Sequence, residues 1–207
     1  MRHLARAIRA ATMVLFPIVA LGALLPRLAV ELYVRSDLGL WPALGVSVIC
    51  VAAAITVHVR VLLRRFRRRP GLIGVAILVV GYCVYVALSI SGANAKTREI
   101  ADEIQSLHPY LRLAIGAVLL ADKGLLLTDV AREPDDYGAM GLATRASSMH
   151  YVQDDGYVHA VDLRTKGRTE LRNGLTRLYF YALGLHTLRH VGTADHLHVA
   201  LPLGGSR

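Results

Sequence analysis

Long apolar stretches fill the first half of the chain, whereas the second half shows shorter alternating and helical patterns. A helix that crosses a bilayer needs about 20 mostly apolar residues. Three stretches approach or reach this length: residues 10–33, 41–59 and 71–92. The third stretch contains no charge, while Pro26, Arg27 and Glu31 interrupt the first. We therefore predict about three transmembrane helices in residues 1–95 and a soluble domain in residues 96–207.

The first apolar stretch also fits a secretory signal peptide, because a basic start precedes a short apolar run. However, it does not end at a clear small-x-small cleavage site, and two further apolar stretches follow it. We therefore expect this stretch to be retained as a transmembrane helix.

The basic residues of the short loops predict how the chain crosses the membrane. Cytoplasmic loops carry an excess of Lys and Arg. The N-terminus carries Arg2, Arg6 and Arg9, and the loop after the second stretch carries Arg60, Arg64, Arg65, Arg67, Arg68 and Arg69. Three crossings place both segments in the cytoplasm. The pattern predicts a multi-pass protein of the plasma (inner) membrane whose residues 96–207 face outward.

The net charge of +9 would suit a nucleic-acid-binding protein, but the position of the charge argues against that function. The densest basic run lies between two apolar stretches, where membrane proteins place cytoplasmic charge. Cys50 and Cys83 lie in separate apolar stretches and are typical of small buried hydrophobic residues. We predict the lipid bilayer as a partner and expect no nucleic-acid partner.

The second half predicts a small α+β domain. Apolar residues recur at steps of three and four over residues 100–118, which indicates a helical face that Pro109 divides in two. Residues 125–130, 157–163 and 196–201 predict strands. Residues 169–183 predict an amphipathic helix whose apolar positions are Leu171, Leu175, Leu178 and Leu183. Helices and strands in this order favour the α+β class.

Histidines and acids cluster at the edges of the predicted strands: His150, Asp162, Asp195, His196 and His198. A catalytic zinc site needs three nitrogen or oxygen ligands and an open position. It also needs a carboxylate nearby to take a proton from water. Side chains alternate along a strand, so His159 and Asp162 point to opposite faces, whereas His196 and His198 share one. The cluster indicates a zinc-dependent hydrolytic site.

Three short segments of the soluble half follow one another in a recognisable order: Ser148-Met149-His150, Ala160-Val161-Asp162 and Asp195-His196-Leu197-His198. They resemble the motifs of the zinc D-alanyl-D-alanine peptidases and the related phage L-alanyl-D-glutamate endolysins. These enzymes share the hedgehog/DD-peptidase fold. The resemblance covers about residues 100–202 and none of the membrane half. It implies a small hedgehog/DD-peptidase-like domain that follows the transmembrane helices.

The resemblance also implies a zinc ion and its ligands. His150, Asp162 and His198 would bind the ion, which lowers the pKa of its water toward about 7. Asp195 would be the general base that takes the proton from this water and returns it to the leaving amine.

Further roles concern the substrate. The segment from Thr128 to Arg132 is similar to a family segment that ends in arginine, so Arg132 would bind a substrate carboxylate or carbonyl. Ser148 opens the first motif and would belong to the substrate-binding loop. His196 or Arg132 would donate a hydrogen bond to the developing oxyanion.

The chain departs from the family in one spacing. Asp162 follows His150 by twelve residues, five more than in the family pattern. The extra residues lie around residues 153–156 and place Val158 where the family has glycine. A loop accepts such an insertion at little entropic cost. His159 is the fallback ligand if the His150 loop is arranged differently.

These features predict a membrane-anchored zinc metallopeptidase that hydrolyses the stem peptides of peptidoglycan. The substrate lies on the side of the membrane to which the charge pattern assigns the soluble domain. One alternative is a non-catalytic cell-wall-binding or scaffolding protein that keeps the peptidase fold. Another is a holin-like or transport protein with an accessory domain, which the lack of polar intramembrane residues disfavours.

Overall fold

The computed structural model describes residues 2–36, 38–63, 71–135, 147–192 and 195–202. The chain divides into two compact units, Met1–Tyr85 and Val86–Arg207. It combines α-helices with a four-stranded antiparallel sheet, which confirms the α+β class. The basic run at residues 64–69, on which the predicted orientation depends, lies outside the described residues.

Apolar helices form the first unit. They are α1 (Arg2–Val19), α2 (Leu25–Arg35), α3 (Leu40–Leu62) and α4 (Leu72–Leu88), and a short π-helix (Ala20–Leu24) joins α1 to α2. The last three residues of α4 belong to the second unit. Two continuous helical stretches, Arg6–Arg35 and Leu40–Leu62, are long and apolar enough to cross a membrane, by length and composition. The shorter α4 has 17 residues and ends before residue 92. Among the described residues, the structure supports two helices of spanning length rather than the predicted three.

The interruptions in the first apolar stretch do not end its helix. Pro26 has no N–H to donate to the carbonyl of Gly22. The residue before it, Leu25, donates its N–H to the carbonyl of Ala20, which gives a short π-helix at this point, and the helix continues beyond it. Glu31 forms ion pairs with Arg27 at 2.6 Å and with Arg35 at 2.5 Å, both one helical turn away. The one acid is therefore shared between two arginines, which leaves a net charge of +1 in this part of the helix.

The helices of the second unit are α5 (Arg98–Glu103), α6 (Pro109–Ala121) and α7 (Glu170–Ala182). Pro109 begins α6, because a proline in the first turn lacks only an N–H that has no partner within the helix. His108 caps this helix, since its Nδ1 accepts a hydrogen bond from the N–H of Tyr110 at 3.2 Å. The predicted division of residues 100–118 by Pro109 is confirmed.

The sheet of the second unit contains β1 (Leu127–Asp129), β2 (Ala160–Arg164), β3 (His186–His190) and β4 (His196–Ala200), in the spatial order β1-β2-β4-β3. Cross-strand pairs fix its two faces, because paired residues share a face and neighbours alternate. Asp162 pairs with His198, and His198 pairs with Leu188. Leu197 and Val199 point the other way and are fully buried in the core.

Helix α7 turns three of its four predicted apolar positions away from the core, whereas the fourth, Leu183, lies just after the helix and is buried. Leu171, Leu175 and Leu178 are exposed, whereas Asn173, Thr176 and Phe180 are buried. The buried polar side chains have partners that explain this arrangement. The guanidinium of Arg168 donates to Oδ1 of Asn173 and to the hydroxyl of Thr176, and Asp122 neutralises it at 2.5 Å. A hydrogen-bonded polar cluster, in which Nη1 of Arg168 alone is buried without a partner, replaces the expected leucine contacts.

We predict that Gly116→Ala destabilises the second unit. A methyl group at this position of α6 would overlap the backbone carbonyl of Val86, and overpacking of this kind costs about 1–3 kcal/mol. Thermal unfolding of the full chain in detergent should show a lower Tm. The matched control is Gly174→Ala in α7, where the added methyl group meets nothing within 4 Å. This control should keep or raise the Tm, since alanine favours a helix by about 1 kcal/mol over glycine. An unchanged Tm for Gly116→Ala would contradict the close packing.

Candidate metal centre

Three potential ligands meet where β2 and β4 lie side by side. Asp162 of β2 pairs with His198 of β4, and His150 reaches the same point from the loop that precedes β2. Nδ1 of His198 lies 2.8 Å from Oδ1 of Asp162. Nε2 of His150 lies 3.3 Å from the same Nδ1. One ligand atom from each residue thus lies within 4.8 Å of the others. The structure brings together the three residues that the sequence predicted as zinc ligands.

Backbone groups fix the orientation of the His150 ring. Its Nδ1 lies 2.7 Å from the carbonyl oxygen of Val130, so Nδ1 carries the proton and donates it. Nε2 therefore keeps its lone pair and faces Oδ1 of Asp162 at 3.5 Å. The N–H of Arg132 donates to the carbonyl oxygen of His150 at 3.0 Å. The segment after β1 holds both the ring and the backbone of His150.

The carboxylate of Asp162 is buried and has partners on both oxygens. Oδ1 faces His150 and His198, whereas Oδ2 lies 3.1 Å from Arg132 and 3.5 Å from His196. Burial alone would raise the pKa of Asp162, but the histidines that face its oxygens, His150 and then His198, hold that pKa well below its ordinary value. Asp162 therefore stays ionised, as a carboxylate that binds a metal must.

This set of donors suits a zinc ion. Two imidazole nitrogens and one carboxylate oxygen match the three protein ligands of a catalytic zinc site. Nε2 of His150 and Oδ1 of Asp162 both direct lone pairs at the proton on Nδ1 of His198. A cation can replace that proton. Histidines that bind a metal commonly donate their other N–H to a carbonyl or carboxylate, as His150 does to Val130.

A cleft gives access to one side of the cluster. The side chain of His198 is 25% exposed and lines a cavity of about 590 Å³. Binding pockets for small ligands have volumes of about 300–1,000 Å³. Most of the remaining lining is apolar and includes Met149, Leu188, Ala200 and Leu201. A substrate group can therefore approach the cluster from the side of His198.

Arg132 and His196 both lie beside the cluster, where the sequence predicted catalytic and substrate-binding roles. Arg132 is engaged by acids, because its Nε donates to Asp129 at 2.6 Å and its terminal nitrogen donates to Asp162 at 3.1 Å. This arrangement makes Arg132 a support for the Asp162 carboxylate. His196 is more accessible, with 24% of its side chain exposed, and it stacks on His190 with 4.8 Å between ring centroids.

Ser148 supports the His150 loop. Its buried hydroxyl accepts a hydrogen bond from the N–H of His150 at 3.3 Å. Its carbonyl accepts a hydrogen bond from the N–H of Tyr151 at 3.2 Å. The substrate-binding role predicted for Ser148 finds no support here, because its hydroxyl is buried and turned toward the backbone of its own turn.

The hydrogen-bond partners of Asp195 differ from those that a general base needs. Its Oδ1 accepts from the hydroxyl of Thr165 at 2.5 Å, and its two oxygens accept from Arg189 at 3.1 and 2.9 Å. Hydrogen bonds from Arg189 and then from Thr165 lower the pKa of Asp195 to about 2. Arg189 pairs with Leu197, so it projects from the sheet face opposite to His198. This placement argues against the predicted role of Asp195.

A second group of histidines and an acid lies apart from the first. His159, predicted as a fallback ligand, places its Nε2 2.8 Å from Asp155, which also lies 3.6 Å from Nε2 of His108. Burial lowers the pKa of His108 to about 3, so this ring is neutral. Its Nδ1 accepts from Tyr110 and holds its lone pair, which leaves the proton on Nε2. His108 therefore has no lone pair to offer a metal on the side of Asp155, and His159 belongs to this hydrogen-bonded group.

Three groups that shape the site were not predicted. The carbonyl of Val130 orients His150, Asp129 holds Arg132, and Arg189 binds Asp195. A backbone carbonyl leaves no signal in a sequence, and Arg189 lies on β3, which was not predicted as a strand. Asp129 also left no signal, because an acid three residues before an arginine indicates an ion pair in a helix, whereas these two residues lie at the end of β1 and in the loop after it.

Comparisons with known proteins do not assign this chain to a family. No family model, no curated protein and no solved structure matches it.

We predict that the full chain, purified in detergent and supplied with zinc, binds about one ion per chain at His150, Asp162 and His198, as the three-ligand set requires. His150→Ala should lose the bound zinc, measured by elemental analysis after removal of free metal. The control is His186→Ala, which removes an exposed histidine of the neighbouring strand β3 that is outside the cluster. Equal zinc content in the native chain and in His150→Ala would contradict the assignment.

We predict that Asp195→Asn lowers thermal stability at pH 7 while zinc content is unchanged. Because folding lowers the pKa of Asp195 from 3.8 to about 2, its contribution to stability is complete above pH 3.8 and disappears as the pH falls through 2. The difference in Tm between Asp195→Asn and the native chain should therefore become smaller as the pH falls from 3.8 to about 2. Asp154→Asn removes an exposed carboxylate and serves as the control. Loss of zinc from Asp195→Asn would show that this residue belongs to the metal centre.

Proposed function

We propose that this chain is a membrane-anchored zinc peptidase that hydrolyses peptide bonds in the stem peptides of peptidoglycan. The observation that carries the proposal is the meeting of His150, Asp162 and His198 beside an open cleft, with their ligand atoms within 4.8 Å. These are the residues of the three motifs that resemble the zinc D-alanyl-D-alanine peptidases and L-alanyl-D-glutamate endolysins.

The residues around the cluster have distinct roles in this proposal. His150, Asp162 and His198 hold the ion. The chemistry that zinc supplies when bound is Lewis acidity, which polarises a scissile carbonyl and activates water. Arg132 holds the Asp162 carboxylate in place through its hydrogen bond to Oδ2. His196 is the partly exposed group beside the cluster, so it donates to the developing oxyanion or exchanges a proton with the substrate.

The anchor is the second part of the proposal. Two helices have the length and composition to cross a bilayer. We propose α4 as a third crossing, since its 17 residues span about 26 Å, against a hydrocarbon core of about 30 Å. Its exposed side chains are apolar along its whole length and include Ile73, Ile77, Leu78, Val84 and Leu88. With a cytoplasmic N-terminus, three crossings hold the second unit beside the cell wall.

One observation favours a second candidate function. Asp195, which the resemblance implies as general base, is instead bound by Arg189 and Thr165. A chain that kept the metal ligands but lost the base would bind peptidoglycan without cutting it. This second candidate is a metal-stabilised cell-wall-binding protein of the same membrane.

Hydrolysis tests the proposal. The full chain in liposomes with zinc should cleave purified peptidoglycan, or synthetic D-Ala-D-Ala and L-Ala-D-Glu peptides, with release of new amino groups measured by mass spectrometry. His198→Ala should lower the rate on the order of 100-fold or more, because removing a Lewis acid costs several kcal/mol of transition-state stabilisation. A chelator should lower the rate of the native chain to a similar extent. Added zinc should then restore the activity of the native chain but not that of His198→Ala.

The control for this experiment is His3→Ala, which removes an exposed histidine of α1 and should keep the native rate. The second candidate predicts a different result: the chain sediments with peptidoglycan, no peptide bond is cut, and His198→Ala weakens the binding. Cleavage that survives both His198→Ala and the chelator would refute a metal-dependent peptidase at this cluster.

A further inference from the structure

Helix α7 carries an exposed apolar stripe on the second unit. Four large apolar side chains are more than half exposed there: Leu171 at 74%, Leu175 at 57%, Leu178 at 61% and Tyr181 at 69%. They follow one another at steps of three and four residues, so they lie on one side of the helix. The side that faces the core carries Asn173, Thr176 and Phe180. An apolar stripe of this kind marks a surface that is covered in the working protein.

Arginines border this stripe on both sides. With 100° between successive residues, Leu171, Leu175 and Leu178 fall within an arc of about 60°. Arg172 and Arg177 are both exposed and lie on the two opposite flanks of that arc, and Arg172 also forms an ion pair with Asp122. Tyr181 stands at one edge of the apolar arc, and Tyr179 lies at the other. The exposed acid of the helix, Glu170, lies in its first turn and is already paired with Arg189.

This pattern fits a lipid surface better than a second copy of the chain. Helices that lie in a membrane interface have leucines and aromatic residues on one side and basic residues at the polar boundary. Two such stripes packed together would bring the arginines of both copies close, and like charges repel. Anionic headgroups would instead neutralise Arg177, whereas Arg172 already has Asp122 as a partner. The two helices of spanning length also keep this chain at a bilayer.

We propose that α7 docks the second unit onto an anionic lipid surface, with Leu171, Leu175 and Leu178 inserted below the headgroups. Arg177 contacts phosphate groups on one side of the helix, Arg172 remains paired with Asp122 on the other side, and Tyr179 and Tyr181 lie at the level of the headgroups. This contact, together with the transmembrane anchor, sets the orientation of the second unit at the membrane. It is independent of whether the unit hydrolyses a peptide bond.

Fluorescence quenching in liposomes tests the docking. The full chain, with Cys50 and Cys83 replaced by alanine, carries one bimane label at Leu175→Cys. The bilayer contains phosphatidylglycerol and a lipid with a nitroxide at carbon 5 of the acyl chain, near the depth of about 5–10 Å that interfacial helices reach. Label at position 175 should lose most of its fluorescence. Label at Lys166→Cys, in an exposed turn before α7, should lose little.

Two variants test the leucines and the arginines of the stripe separately. Adding Leu178→Glu should restore fluorescence at position 175 while the chain stays in the liposomes, because a charge in the stripe opposes insertion. In the native stripe, quenching should increase with the phosphatidylglycerol fraction, and Arg177→Gln should weaken that dependence. The proposal is overturned if positions 175 and 166 are quenched equally. It is also overturned if position 175 escapes quenching and instead reports contact between copies, which would assign the stripe to a dimer.

Discussion

The buried carboxylate of Asp162 is the constraint around which the second unit is organised. An ionised carboxylate away from water is costly unless it is paired and hydrogen-bonded. In this chain, His150 and His198 approach one oxygen, while Arg132 and His196 approach the other. Each of these residues comes from a different part of the chain or from the neighbouring strand. Stabilising one charge therefore requires that two loops and two strands adopt their positions together.

That requirement divides the sheet into two faces with different chemistry. The face that carries Asp162 collects the histidines and opens to the cleft, so the other face must supply the apolar core through residues such as Leu197 and Val199. On the core side, Arg168 is sequestered by Asp122, Asn173 and Thr176. Because that polar cluster takes up the inner side of α7, the leucines of the helix face outward. The exposed leucine stripe of α7 thus follows from the polar partners that the buried Arg168 requires on the inner side of the helix.

Local sequence patterns predicted the strands that carry the cluster. The pairing of distant segments determined the features that were not predicted. Alternation and β-propensity located β2 and β4, and the shared face of His196 and His198 is a direct consequence of strand geometry. Strand β3 escaped prediction because His186–His190 has few apolar residues and lies at the edge of the sheet. The partner of Asp195 lies on that strand, so its engagement could not be foreseen. The outward position of the leucines of α7 could not be predicted either, because periodicity shows an apolar stripe but not which surface covers it.

The two clusters of histidine and aspartate show that residue types alone do not define a metal site. His150 and His108 are both buried, and each lies near an aspartate and a second histidine. The ring of His150 donates from Nδ1 to a backbone carbonyl, which leaves a lone pair on Nε2 inside its cluster. The ring of His108 accepts at Nδ1 from a backbone N–H, which leaves a proton on Nε2 instead. A neutral imidazole has one lone pair, so the backbone group at Nδ1 decides which cluster can hold a cation. The helix cap that begins α6 therefore removes His108 from metal chemistry, whereas the carbonyl after β1 prepares His150 for it.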